Sequence, residues 1–240
     1  MAEEREIKLN LKIPLKEFIN RIGKLGYTLN QEVSQIDIYF DTDDWHLYHY
    51  FSSLRFRKVN NKNHSFTFKK VFCLPKRKNK YFVEEIEINS PFKKISKFIQ
   101  IWKKLNINNR KYKYQNLQNL KAFLFTYGYF DKQIVKKSRT IYKHNSNEIV
   151  IDNVKNVGII IELECKKDNP LKIVQTLLNK NEWDRNIEGT GYMWLKKVKG
   201  FKSHLTNQKR FSKEPDWNVW KHERYFYNSI NKIHQISILK

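Results

Sequence analysis

Polar and apolar positions alternate in short runs along this chain, and each run favours particular charges. Glu4, Glu6 and Lys8 stand at every second position, with Ile7, Leu9 and Leu11 between and beyond them. A strand sends alternate side chains to opposite faces, so these charges share one face and the aliphatics take the other. The pattern returns with Arg55 and Arg57 around Phe56, with Lys69 after Phe66 and Phe68, and with Glu85 and Glu87 around Ile86. It returns again with Lys137 and Arg139, and with Glu162 and Glu164 around Leu163. An antiparallel sheet normally buries its apolar face and solvates the polar one. A solubilising surface, however, intersperses the two signs, whereas these acidic and basic pairs are segregated strand by strand.

Between the strands lie stretches whose apolar residues follow helical spacing. Pro14 opens one with Leu15, Phe18, Ile19, Ile22 and Leu25, and Gly26 stops it. Ser90 and Pro91 read as N-cap and first position of another, carrying Phe92, Ile95, Phe98, Ile99 and Trp102. A third runs from about 115 to Gly128 with Leu117, Leu120, Phe123, Leu124 and Tyr127, and Pro170 opens a short fourth with Leu171, Val174, Leu177 and Leu178. If these helices cover the aliphatic face of the sheet, the charges point inward, into a closed or nearly closed barrel.

Inward charges are costly unless each finds a partner or a ligand. Glu4, Glu6, Asp152, Glu162 and Glu164 are hard oxygen donors suited to Mg²⁺ or Mn²⁺. Lys8, Arg55, Arg57, Lys69, Lys137 and Arg139 suit several phosphates in a row, the arginines gripping phosphate oxygens two at a time. Together they describe a site for a metal-bound triphosphate.

The residues that carry this chemistry resemble the CYTH superfamily, the triphosphate tunnel metalloenzymes. Glu4-x-Glu6-x-Lys8 is similar to the family signature, and further elements follow in the family's order. These are Gln35-x-Asp37-x-Tyr39-Phe40-Asp41, Leu54-Arg55-x-Arg57, Thr67-x-Lys69 and Glu85-x-Glu87. Lys137-x-Arg139-x-x-Tyr142, Asp152 with Gly158, and Glu162-x-Glu164 complete the set. The resemblance spans roughly residues 3 to 198 and implies an α+β fold: an eight-stranded antiparallel β-barrel, or tunnel, with a charged interior, covered by helices. It divides the chain into a tunnel domain over 1–198, lengthened by a basic helical segment at about 91–128, and a basic aromatic extension over 199–240.

The resemblance also implies triphosphate-processing chemistry with Mg²⁺ or Mn²⁺ held by Glu4, Glu6, Asp152, Glu162 and Glu164. Glu4, Glu6, Lys8, Glu87 and Asp152 are the expected catalytic groups, and Lys8, Arg55, Arg57, Lys69, Lys137 and Arg139 the expected phosphate clamp. Water attacking the terminal phosphorus makes such a tunnel a triphosphatase acting on inorganic triphosphate, a nucleoside triphosphate or the 5′-triphosphate end of RNA. Attack by a ribose 3′-hydroxyl on the α-phosphorus makes it a class IV adenylyl cyclase instead. That branch often carries a His-Phe pair ahead of the Glu-x-Glu, and none precedes Glu4 here, which tilts the expectation to hydrolysis. A non-catalytic nucleotide or polyphosphate binder is the third reading, disfavoured because binding phosphate alone needs no carboxylates.

Composition adds a charge of +23 over 240 residues. A tunnel of cations facing carboxylates is nearly balanced, so the excess lies elsewhere. It implies attraction to nucleic acid or another polyanion, or reflects only the lysine- and asparagine-rich usage of an AT-rich genome. From Lys93 to Lys143 there are fourteen Lys or Arg against the single acid Asp131, interleaved with Trp102, Tyr112 and Tyr114. That mixture suits either a single-stranded nucleic acid or a helix with a basic solvent face and an aromatic core face. Pro75 to Lys80 reads as a basic turn or a landing patch for a long anion, and His46 and His49 read as structural. Gly191 stands where the family's closing segment usually has Ser. Trp217, Trp220 and Tyr225 in the extension are expected to dock on the domain or on a second subunit of a homodimer, and Ile230, Ile233, Ile236 and Leu239 suggest a last helix.

With Cys73 and Cys165 far apart, no signal-peptide pattern and no apolar run of about 18 residues, the expectation is a cytoplasmic protein that needs neither membrane nor disulfides.

Overall fold

The computed structural model describes residues 5–49, 52–73, 81–109, 112–166 and 168–186, together with Met193 and Lys197. The first half of the chain supplies β1 (Arg5–Leu11), α1 (Leu15–Lys24), β2 (Thr28–Asp41), α2 (His46–His49), β3 (Ser52–Val59), β4 (Asn63–Cys73) and β5 (Tyr81–Asn89). Then come α3 (Ile95–Lys104), α4 (Leu117–Phe125), β6 (Phe130–His144), β7 (Asn147–Val154), β8 (Gly158–Cys165), α5 (Pro170–Leu177) and β9 (Trp183–Asn186). The strands form one antiparallel sheet in the order β5-β4-β3-β2-β6-β7-β8-β1-β9.

The aliphatic face of this sheet is covered by the helices, as the alternation requires. Phe56, Phe66 and Phe68 of β3 and β4 pack with Phe98 and Trp102 of α3 and with Leu120 and Leu124 of α4. Ile7, Leu9, Ile161 and Leu163 of β1 and β8 pack with Phe18 and Ile22 of α1 and Val174 of α5. Each such large side chain contributes about 1.5–3 kcal/mol by leaving water. The opposite face carries the charges, and there Val135, Val154, Val157 and Ile160 form a small apolar cluster against which Tyr39 and Met193, a residue in helical conformation, pack. Asp37 and Asp152 are 0% exposed there, and Lys137 and Glu162 are 6% exposed. The sheet curls strongly so that this face turns inward, and Met193 adds to its cover.

The fold is the expected α+β arrangement, with two differences of detail. Nine strands are described where eight were expected, because β9 adds four residues along β1, from Lys8 opposite Asn186 to Leu11 opposite Trp183. Trp183-Asp184-Arg185-Asn186 is too short and polar to announce itself as a strand. Among the described residues, no ladder joins the end strands β5 and β9.

The helix expected at Ser90-Pro91 starts instead at Ile95. Ser90 belongs to the sheet: its N–H donates to the His64 carbonyl at 2.8 Å and its hydroxyl accepts from the His64 N–H at 3.2 Å. Of the aromatics set among the lysines, Trp102 and Tyr112 are core, 1% and 8% exposed, and Tyr114 is half-buried against the same cluster. Glu4, the Pro75–Lys80 loop, Gly191 and the extension over 199–240 lie outside the described residues. Among those described, no helix is long and apolar enough to cross a membrane.

Candidate active site

Pairing registers turn the alternation into a map of the inner face. Across β2 and β3, Asp37 faces Arg57 and Tyr39 faces Arg55. Across β6 and β7, Arg139 faces Asp152, and Asp152 in turn faces Ile160 of β8. Glu162 then faces Lys8, and Glu164 faces Glu6, across β8 and β1. Because the side-chain period is two, all these residues are on one face, and a slip of one position would expel them together.

The side chains form a run of alternating charge across six strands. Arg57 grips Asp37 through Nε at 2.6 Å and Nη2 at 2.7 Å, while Arg55 Nη1 stands 3.9 Å from the same carboxylate. Asp152 accepts from Lys137 Nζ at 2.5 Å, from Arg139 Nε at 2.7 Å and from Arg139 Nη2 at 2.7 Å. Arg139 Nη2 also donates to Glu162 at 3.0 Å, Lys8 Nζ lies 3.2 Å from Glu162, and Lys8 is paired with Glu6.

Burial and charge compete at each group. Burial pushes the Asp37 carboxyl up, but the Arg57 hydrogen bonds and the charges of Arg55 and Arg57 outweigh it and hold it at about 2. Glu162 is likewise pushed up by burial and brought down to about 2 by Lys8 and Arg139. Burial works against the charge on Lys8, yet Glu162 and Glu6 raise its pKa. Arg139 is raised in the same way, Asp152 and Glu162 outweighing its burial. Lys137 is the exception: burial and the neighbouring Arg139 lower it to about 8 in spite of Asp152, which it must share with that arginine.

The expected clamp therefore comes together around Arg55, Arg57, Lys137, Arg139 and Lys8. Lys69 stands apart, paired with Glu85 at 2.9 Å on the more open β4–β5 side, where Thr67 donates to Glu87 at 3.2 Å. Of the expected metal ligands, Glu6, Glu162 and Glu164 sit as neighbours on β1 and β8. Both oxygens of Asp152 are engaged by Lys137 and Arg139. Among the described residues, which leave out Glu4, no group of three or more His, Cys, Asp or Glu side chains is gathered closely enough to hold a metal ion. The donor set nonetheless fits a hard divalent cation in kind, all carboxylate oxygen, and an ammonium already lies between two of its members.

Asp37 joins the site without having been among the expected groups, although it alternates with Ile36 and Ile38 in β2. Tyr39, whose hydroxyl bonds Arg55, flanks it and is pushed up by burial. Among the described residues, two buried polar atoms of this face, Arg55 Nε and Gln35 Oε1, have no hydrogen-bond partner. Asp41, one step further along β2, caps α2 instead, accepting from the Leu47 N–H at 2.8 Å and the Tyr48 N–H at 2.9 Å.

Comparison with known proteins agrees with this geometry. A family model, the CYTH domain, matches residues 2–189. No curated protein matches the chain. Among solved structures, a Vibrio parahaemolyticus protein provisionally described as an adenylate cyclase is 15% identical, with TM-score 0.52, covering 79% of this chain and 96% of its own. A Hippeastrum protein, provisionally an adenylyl cyclase and described as having a dominant triphosphatase activity, is 17% identical, with TM-score 0.51, covering 78% of this chain and 93% of its own. The PH1819 protein of Pyrococcus horikoshii is 17% identical, with TM-score 0.51, covering 76% and 94%. At such identities the likeness concerns the fold.

Proposed function

Because the chain belongs to the CYTH domain family, whose members are divalent-metal-dependent enzymes acting on triphosphates, we propose that it is a triphosphatase. The observation that carries this reading is a set of buried and half-buried cations held in place by the buried carboxylates Asp37 and Asp152, directly beside a second carboxylate set on β1 and β8. Phosphoryl transfer is mostly positioning and charge neutralisation, and this face is built for both.

Arg55, Arg57, Lys137, Arg139 and Lys8 clamp the phosphates, with Lys69 at the open side. Arg55 Nε, a buried donor with no acceptor among the described residues, is suited to a phosphate oxygen. Asp37 and Asp152 act as positioning residues that hold the cations against one another's repulsion, which reassigns Asp152 from ligand to anchor. Glu4, Glu6, Glu162 and Glu164 would hold Mg²⁺ or Mn²⁺, which supplies a neutralising charge and a more acidic bound water. Glu87, fixed by Thr67, orients groups at the far side of the cavity.

Product analysis tests the proposal. Wild type and Glu6→Gln are incubated with Mg²⁺ or Mn²⁺ and tripolyphosphate, ATP or 5′-triphosphate RNA, and the products are resolved by chromatography. Orthophosphate released by wild type, falling by about 100-fold or more in the variant, is the expected result. Cyclic AMP with pyrophosphate would move the protein to the cyclase branch, and tight binding without turnover would leave a receptor for polyanions.

A further inference from the structure

Lys8 stands among the carboxylates of β1 and β8. Its ammonium contacts Glu6 and lies 3.2 Å from Glu162, while the ladder places Glu164 opposite Glu6 one rung further along. Without it, these neighbouring carboxylates would repel each other on a partly buried face. We propose that Lys8 is a built-in counter-ion of the carboxylate set, which a divalent metal displaces from Glu6 and Glu162 onto the triphosphate. The inference rests on the metal-dependent reading above and adds an order of events to it.

Two cations touch Glu162, and geometry decides which of them yields. Arg139 is 15% exposed and tied to Asp152 by two hydrogen bonds of 2.7 Å. Lys8 is 23% exposed and presents a single point charge on a flexible stem. Moving Arg139 would break a bidentate pair and leave the buried Asp152 to Lys137 alone, whereas Lys8 can swing toward the more open side, where Glu6 is 35% exposed. A divalent ion brings twice the charge of an ammonium to the same oxygens, so exchange is favourable once Lys8 has another anion to meet. Lys8 and the metal therefore compete when triphosphate is absent and cooperate when it is present.

That reversal of sign is the test. Mn²⁺ binding is measured by calorimetry on full-length wild type and Lys8→Met, alone and with a non-hydrolysable imidotriphosphate. Without the anion, the variant is expected to bind Mn²⁺ about tenfold more tightly than wild type, and with the anion more weakly. A second measurement needs no variant. Acetylation of Lys8 in wild type, read by mass spectrometry against exposed Lys62, is expected to rise several-fold on adding Mn²⁺ and to fall again with imidotriphosphate. Mn²⁺ binding no tighter in Lys8→Met, or Lys8 labelling unchanged while Mn²⁺ is bound, overturns the proposal, and so does absence of Mn²⁺ binding to both proteins. Failure of the triphosphatase reading is separate, since it is decided by orthophosphate release.

Discussion

Asp37 is the residue on which the cationic half of the site turns. It is 0% exposed and would be a liability if neutral or alone, because Arg57 and Arg55 are aimed at it. Its carboxyl sits at about 2 against an ordinary 3.8, burial working upward and the arginines more strongly downward. A folded-state pKa below the unfolded value means that the stabilisation is fully present above about pH 4 and is lost as pH falls through about 2. The difference corresponds to about 2 kcal/mol. Urea denaturation of wild type and Asp37→Asn is therefore expected to show a gap in stability that is widest near neutrality and closes on acidification. Glu162 titrates in the same window but is common to both proteins, so it cancels in the comparison. Asp37 was legible as an inward residue from its alternation with Ile36 and Ile38. Its partner was not, because Arg57 is 20 residues away and the pairing is created by the β2–β3 register.

Elements were readable where one physical signal dominated. The asparagine turn between β3 and β4 takes up left-handed φ values at Asn60 and Asn61, and Asn116 caps α4 by accepting the Asn119 N–H at 2.8 Å. The start of α3 was misplaced because Ser90 has two suitable uses, and its bonds to His64 extend the sheet in place of a helix cap. The stop after α1 makes a sharper statement. Gly26 has φ +84°, and a Cβ there would come within 3.0 Å of the His144 ring, whose Nδ1 lies 3.1 Å from the Gly26 carbonyl. Gly128 after α4 has a similar φ of +79° but nothing within 4 Å of such a Cβ. Gly128→Ala thus bears only the left-handed strain, about 1 kcal/mol. Gly26→Ala adds a displaced ring to that strain and is expected to cost about 1 kcal/mol more, as read from the difference in thermal midpoints of the two variants.

At the scale of the whole molecule, the inner face and the exterior obey different electrostatics. Cations and carboxylates nearly balance across the inner face of the curled sheet, so the excess positive charge of the described residues belongs to the outside. Sequence could not divide the charge this way, since whether a lysine faces the cavity or water depends on curvature and on the helices that cover the other face. Burial also removes Trp102 and Tyr112 from any nucleic-acid surface, while Lys93, Lys94, Lys103 and Lys113 stay exposed, as do the aromatics Phe125 and Tyr127 of the same stretch. A polyanion drawn to such lysines would be held largely by counterion release, and that attraction is sensitive to salt. The inner pairs are buried and are screened much less. On the triphosphatase reading, a short triphosphate would meet only the inner set, whereas a long RNA bearing a 5′-triphosphate would meet both. Raising salt from about 50 to about 200 mM is therefore expected to increase KM far more steeply for 5′-triphosphate RNA than for tripolyphosphate, by a margin that grows with RNA length. Equal salt slopes for the two substrates would mean that the exterior charge takes no part in substrate capture, and that the work is done by the inner face alone.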